Sequence, residues 1–382
     1  MDSNASQAII LDNGSGLIKA GLASERIPKC IIPNRVARQK IGGVRGETLI
    51  GPIDDVSKLS INYPMEHGVV TDWDDMEKIW HHIYHKQLNL LPEDHPVLFT
   101  EPALNPRNNR EKIIEILFEK FKVPALCIMM QSILTLYSTG RTTGVVLDAG
   151  DGITSAVPIY EGFAMPEAIK RIDFAGREVT QYMQILLKKE GINFQTTADF
   201  EIIRQIKESI CYMCENPFKE ESNTNTTAAF KLPDGKEIII GPSRFRAAEV
   251  LFRPQFRGRE YSGLHETLLG SIEESDLDLR STLFKNIVVS GGSTLFKGFG
   301  SRLLSELKNI SPKHAQLKIA APKERLYSVW IGGSILASLN IFKDALISKQ
   351  VYEERGKRAF NMLHSNIVPD HYYSVLNNHK NR

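Results

Sequence analysis

Hydrophobic residues along the chain fall into two copies of one pattern. The apolar run Ala8-Ile-Ile-Leu leads into Asp12-Asn-Gly-Ser-Gly16, and Leu17-Ile-Lys-Ala follows. Far downstream, Gly144-Val-Val-Leu leads into Asp148-Ala-Gly-Asp-Gly152, and Ile153-Thr-Ser-Ala-Val follows. Each copy reads as a buried-type strand, a glycine turn and a second strand. The unit recurs once, which predicts a duplicated domain with diverged halves. Helical periodicity follows each copy, over Asp75–Gln87 and Arg110–Lys122 after the first and over Glu178–Lys189 and Thr197–Cys214 after the second. Strands mixed with such helices predict α/β halves.

Shorter patterns fill in the rest. Asn286-Ile-Val-Val-Ser, then Gly291-Gly292, predicts a buried strand, a tight turn and a helix start capped by Ser293. Gln131-Ser-Ile-Leu-Thr-Leu-Tyr-Ser and Trp330-Ile-Gly-Gly-Ser-Ile-Leu-Ala read as helices with small residues on one face, suited to close packing where the halves hinge. Asp234-Gly235 marks a hairpin between Phe230-Lys-Leu and Glu237-Ile-Ile-Ile. The polar run 220–227 reads as a surface loop. The glycine-rich, basic stretch Arg38–Gly51 reads as a mobile surface loop.

A chain of 382 residues suits two domains better than one core. A net charge of +2 gives no electrostatic case for nucleic acid or a membrane surface. The longest apolar stretch, Trp330–Phe342, is interrupted by Gly, Ser and Asn, so no bilayer insertion is expected. The start, Met-Asp-Ser-Asn-Ala-Ser, lacks the basic and apolar regions of a signal peptide. Four cysteines, Cys30, Cys127, Cys211 and Cys214, are no disulfide framework and fit a reducing compartment. Cys211 and Cys214 form a lone C-x-x-C, without the second ligand pair of a zinc site. His81, His82 and His85 share a helix and read as a solvated face.

The chemistry lies in the paired Asp-x-Gly-x-Gly turns. Glycines there leave no Cβ in the way, so backbone N–H groups can converge on an anion. Two such hairpins facing one cleft would grip a polyphosphate from both sides, with Asp12 and Asp148 aimed at the same phosphates. Like charges in that position demand a cation, and Mg²⁺ held through water is the natural one. Ser15 and Lys19 add a hydroxyl and a positive charge. The Gly291-Gly292 turn lets a base and ribose approach the backbone. The Gly-x-x-x-x-Gly-Lys-Ser/Thr pattern is absent from the sequence, so this is no P-loop.

In this order the segments resemble the actin, hexokinase and Hsp70 superfamily, and within it the actin family nearly end to end. Tyr63-Pro-Met-Glu-His-Gly-Val-Val-Thr-Asp-Trp-Asp-Asp-Met-Glu-Lys-Ile-Trp, Leu104-Asn-Pro-Arg-Asn-Asn-Arg-Glu and Tyr327-Ser-Val-Trp-Ile-Gly-Gly-Ser-Ile-Leu carry the likeness. Gly140-Arg-Thr-Thr-Gly-Val-Val-Leu-Asp, Gly241-Pro-Ser-Arg-Phe-Arg-Ala and Ser290-Gly-Gly-Ser-Thr-Leu-Phe-Lys-Gly are similar to the centractin branch, the actin-related proteins of dynactin.

The resemblance implies two duplicated α/β domains with a nucleotide cleft between them. One lobe would be residues 1–138 with 328–382, carrying a small outer subdomain at 34–63. The other would be 139–327, with an outer subdomain at 175–259. ATP or ADP with Mg²⁺ is the implied cofactor. Asp12, Gly14, Ser15, Gly16, Leu17 and Lys19 would meet the phosphates from one side, and Asp151, Gly152 and Ile153 from the other. Gly176, Arg204, Lys207 and Glu208 would line base and ribose, opposite Gly291, Gly292, Ser293, Leu295 and Phe296. Asp12 and Asp148 would hold the metal through water. Gln131 and Asp148 would serve a slow ATPase, Gln131 by orienting the attacking water. The implied partners are further copies of the chain in a filament, dynactin-type subunits and capping proteins, and dynein indirectly, at a cytoplasmic, cytoskeletal location associated with microtubules or the centrosome.

This chain departs from the family pattern at several points. Ala149 stands where the family has Ser, Ser155 where it has His, and Leu326 where conventional actin has Lys. The segment Arg38–Gly51, which in actin docks on the next subunit, is several residues shorter here. The basic tail from His364 to Arg382 has no counterpart and reads as a solvated extension. Three alternatives remain. A divergent conventional actin or a monomeric nuclear scaffold shares the pattern, although nuclear relatives usually carry large insertions. A small-molecule kinase of the same superfold would need a carboxylate base for a substrate hydroxyl, and the actin-like stretches offer none.

Overall fold

The computed structural model describes residues 7–41, 44–53, 56, 59–223 and 226–360. The first six residues and the basic tail from His364 lie outside these residues.

Two six-stranded mixed sheets form the frame. In the first, Ile9–Asn13 runs parallel to Val97–Glu101, which runs parallel to Ala125–Met130. All five side chains of Ile9–Asn13 and of Val97–Glu101 are buried, as expected of strands covered on both faces. Leu17–Leu22 and Cys30–Pro33 extend this sheet antiparallel, and Ile347–Ser348 closes its other edge. The second sheet repeats the plan. Gly144–Ala149 pairs antiparallel with Thr154–Tyr160 and parallel with Ile287–Ser290. The duplicated strand–turn–strand pattern is thus the same hairpin at the same place in two sheets, and the mixed α/β fold class holds.

Two helices lie between the sheets. Gln131–Ser138 follows the first sheet's strand directly, and Ser328–Ala337 packs across it. Their small residues have a direct use. A Cβ on Gly332 would fall 1.7 Å from the Leu134 carbonyl oxygen, and one on Gly333 2.8 Å from Ile10 Cγ2. Backbone therefore packs on backbone where these helices cross. A buried cluster around them draws Ile10 and Leu98 from one sheet, Val146, Val157 and Val288 from the other, and Leu134 and Trp330 from the helices.

Some expectations change at element level. Arg38–Gly51 is not a loop. Val36–Ile41 and Val44–Ile50 pair antiparallel, and Leu59–Asn62 adds a third strand to this small sheet. The glycines mask an alternating pattern that a hairpin can use. Helices expected at Asp75–Gln87 and Arg110–Lys122 start earlier, at Trp73 and Arg107, and each ends in a π-helical turn, at Ile83–Leu88 and Ile116–Lys120. The helix expected to reach Cys214 stops at Ile210. In the polar run 220–227, Glu220 and Glu221 end a short helix, Pro217–Glu221. The expected hairpin at Asp234-Gly235 joins Ala228–Lys231 to Glu237–Ile240. His81 and His85 are exposed and stack on each other with ring centres 5.6 Å apart.

Asp75 ties the three-stranded sheet to the helix Trp73–His82. It is buried, pairs with Arg38 and Lys78, and accepts from Asn62 Nδ2 at 2.8 Å. Burial alone would push its carboxyl up, but hydrogen bonds from Arg38, Asn62 and Lys78 overcome this and hold it well below the usual carboxylate range. A depressed folded pKa stabilises the fold above the ordinary value, 3.8, and that stability is lost as pH falls below it. Asp75→Asn is therefore expected to cost about 2 kcal/mol or more at pH 7, with the gap to wild type narrowing toward pH 3. Thermal melts at the two pH values check this; a gap of equal size at both would exclude charge pairing as its source.

Candidate functional site

The two glycine hairpins meet at their tips. A Cβ on Gly16 would lie 2.7 Å from Asp151 Cβ, and one on Gly152 would lie 2.8 Å from Ser15 Oγ. Only glycine permits this approach. Ser15 Oγ also accepts from Gly68 N at 3.0 Å, and His67 Nδ1 donates to the Gly152 carbonyl at 2.7 Å. Arg171 joins from the second sheet, donating to the carbonyls of His67, Ala103 and Leu104 at 2.6, 2.8 and 3.1 Å. The hairpin tips are thus held from both sides by hydrogen bonds.

Below the tips opens a cavity of about 430 Å³. Its wall includes Asp12, Gly14, Ser15, Gly16, Leu17 and Lys19 from the first hairpin, Asp148, Asp151, Gly152 and Ile153 from the second, and Gln131 from the central helix. Arg204, Lys207 and Glu208 face it from the helix Thr197–Ile210, and Gly291, Gly292, Ser293, Leu295 and Phe296 from beyond the strand Ile287–Ser290. The structure therefore brings every expected residue but one to a single cavity. Gly176 sits just behind the wall, where a Cβ would crowd Ser293 Oγ at 2.7 Å. Its carbonyl accepts from Lys207 Nζ at 3.0 Å. Ser293 is not a helix cap. It lies in a 3-10 turn, Gly292–Leu295, and the helix starts only at Phe299. Its Oγ instead donates to the Gly150 carbonyl at 2.6 Å, tying the turn to the second hairpin.

Electrostatics single out the cavity floor. Asp12 is almost fully buried; Lys19 Nζ lies 3.0 Å from its Oδ2, and Thr100 Oγ1 and Gln131 Nε2 donate to its Oδ1 at 2.8 and 3.2 Å. Asp148 is pushed up to about 6, chiefly by burial and further by the like charge of Asp12, against opposing effects of Ser290 and Lys19. Two buried carboxylates with one lysine between them form a site short of positive charge. A divalent cation would reverse that balance and keep both ionised.

Sequence reasoning missed several residues here. Thr100 holds both Asp12 and Gln131, and its signal was a hydroxyl at the end of the apolar run Val97-Leu-Phe. Asn34 Nδ2 donates to the Gly14 carbonyl at 2.9 Å. Cys211 belongs to the cavity wall, with its thiol pushed up to about 12 by burial. A thiol held protonated in this way is inert, in keeping with the absence of a second ligand pair for the Cys211 and Cys214 pair.

A sequence model of the family described as Actin matches residues 3–363. The chain belongs to the actin family. It is also 51% identical over 368 residues to a protein of Neurospora crassa named "Actin-like protein", covering 92% of this chain and 97% of that one. Actin-family proteins generally bind a nucleotide and a divalent metal. The residues present fit such a pair. Backbone turns that a Cβ would block offer N–H groups to phosphate, and the two carboxylates suit a hydrated cation.

The hairpin contact gives a direct stability test. Gly152→Ala places a methyl against Ser15 and the His67 backbone, which is expected to cost about 1–3 kcal/mol. Gly270→Ala, in the helix Leu264–Glu274, meets nothing closer than 3.7 Å and is expected to be neutral or stabilising. Denaturant unfolding of both variants measures this; equal effects would mean the hairpin tips are not in tight contact.

Proposed function

We propose that this actin-family chain holds ATP or ADP with Mg²⁺ in the hairpin cavity and serves as a filament subunit of a dynactin-type assembly. The observation that carries the nucleotide reading is the buried pair Asp12 and Asp148 at the floor of one cavity, beneath two glycine hairpins in contact. When bound, Mg²⁺ supplies charge neutralisation between these carboxylates and the phosphates. Ser15, Lys19 and the backbone of both hairpins bind phosphate. Arg204, Lys207, Glu208 and the Gly291–Phe296 turn take the base and ribose. Residues 1–138 with 328–382 form one lobe in this reading, and 139–327 the other.

Hydrolysis on this site is slow. Gln131 is fixed by Nε2 donating to Asp12 and Thr100, so its amide oxygen is the group left to orient a water. Ser155, which pairs with Asp148 across the second hairpin, has no imidazole to relay a proton.

The filament reading rests on the centractin-like segments Gly140–Asp148, Gly241–Ala247 and Ser290–Gly300. The strands Val36–Ile41 and Val44–Ile50 stand in the place of a longer docking loop of conventional actins. A smaller contact buries less area, so head-to-tail growth is weak alone and its length is set by partners that cap or flank the filament. Dynein is then reached indirectly, and the setting is cytoplasmic and cytoskeletal. Recovery of the native protein with its partners tests this. Several copies of the chain together with dynactin-type capping and side subunits at near-stoichiometric levels are expected. Recovery as a monomer, or within a chromatin-bound assembly, would instead favour the scaffold alternative.

A further inference from the structure

A buried ion pair lies beside the cavity, in a small pocket that shares Gly16, Asp151 and Arg204 with it. Arg35 and Glu201 come from segments more than 160 residues apart, and their side chains are only 4% and 1% exposed. Arg35 belongs to the first hairpin's support. It follows Asn34, whose N–H donates to Gly16 O at 3.0 Å and whose side chain donates to Gly14 O at 2.9 Å. Glu201 belongs to the helix Thr197–Ile210, which also brings Lys207 and Glu208 to the cavity. The pair therefore links the phosphate side of the cleft to the helix on its far side.

Further contacts reinforce this pairing. Tyr63 OH donates to Glu201, and its ring carries the Arg177 guanidinium 4.7 Å above its centre. Arg177 in turn lies 3.6 Å from Asp151 of the second hairpin. The Ile61 N–H donates to Thr197 Oγ1 at 3.2 Å, and buried Ala198 packs among Ala37, Val56, Leu59 and Ile61. Arg204 completes the connection to the cavity. Its guanidinium is 2.8 Å from Glu201 Oε2 and 3.0 Å from Glu208 Oε1, and it also lines the cavity wall.

We propose that Arg35 and Glu201 form a latch across the cleft that sets how fast a nucleotide leaves the cavity. This rests on the nucleotide reading above. Opening the cleft on this side separates Arg35 Nη1 from Glu201, and buried Arg35 Nε has no hydrogen-bond partner to hold the guanidinium in its place. Breaking a buried pair leaves uncompensated charge until water reaches it, so the open state is rare and exits are slow. Arg204 makes the latch responsive. It is shared between Glu201 and the cavity, so a ligand drawing on Arg204 alters how firmly Glu201 is held. Arg35 is a positioning residue here and touches no ligand.

Two readouts on the full-length protein test the latch. Arg35→Leu removes the cross-cleft charge while Glu201 keeps Arg204 and Tyr63, and Arg35→Lys keeps a charge without the planar fork. Release of a fluorescent ATP analogue, chased with unlabelled Mg-ATP, is expected to speed up at least ~tenfold in Arg35→Leu and less in Arg35→Lys. Hydrogen exchange without nucleotide is expected to rise by a similar factor at residues 59–63 and 197–204, with the central strands unchanged. Unaltered exchange there in a folded Arg35→Leu protein overturns the latch, as does nucleotide release at the wild-type rate. A wild type that takes up no analogue overturns the nucleotide reading, and exchange at the two segments still decides whether the pair holds the cleft closed. Should Arg35→Leu fail to fold, Arg35→Lys and Tyr63→Phe carry the same two measurements, and wild-type values in both variants overturn the latch.

Discussion

Two carboxylates of like charge lie buried at the floor of one cavity, and the rest of the structure keeps them there. Left to itself such a pair repels, and desolvation penalises each charge separately. Asp12 is offset by Lys19, Thr100 and Gln131, while Asp148, although Ser290 and Lys19 favour its charged form, is pushed up to about 6 by burial and by Asp12. A fold that preserves this imbalance is poised for a cation and the anions that accompany it. The glycine hairpins are the geometric half of the same requirement. They bring the strand ends close enough for both carboxylates to share a cavity, at positions where any side chain would push them apart.

The placement depends on the duplicated sheets and on the helices between them. Parallel pairing of Ile9–Asn13 with Val97–Glu101 puts Thr100 beside Asp12, and the same pairing in the second sheet puts Ser290 beside Asp148. The central helices pack backbone against backbone at Gly332, so the two sheets are tied where the chain passes between them. Farther out, the Ile61 N–H of the three-stranded sheet donates to Thr197 of the helix Thr197–Ile210, and Arg35 pairs with Glu201 of the same helix.

Much of this was legible in the sequence because it was written twice. A single Asp-x-Gly-x-Gly turn is an ordinary hairpin signal; the matched pair at the ends of apolar runs pointed to a shared cleft, and nearly all the expected residues meet in one cavity. What stayed hidden has physical causes. The strands Val36–Ile41 and Val44–Ile50 were obscured by glycines and charges that also suit a loop. Ser293 had the composition of a helix cap, but Gly298 delays the helix and frees the hydroxyl to bind the second hairpin. Arg35 and Glu201 carry no local signal, since only tertiary contact makes their charges a pair.

The most direct measurement is a thermal melt of the wild type and of Asp148→Ala, each with Mg²⁺ alone, ATP alone and both together. Ligand that binds only the folded state raises Tm with concentration, by about 2.7 kcal/mol of stabilisation at a hundredfold excess over Kd. The account predicts a large rise for wild type with Mg-ATP, a smaller one with ATP alone, and loss of the Mg²⁺-dependent part in Asp148→Ala. A full Mg-ATP shift in Asp148→Ala, or none in wild type, would contradict it.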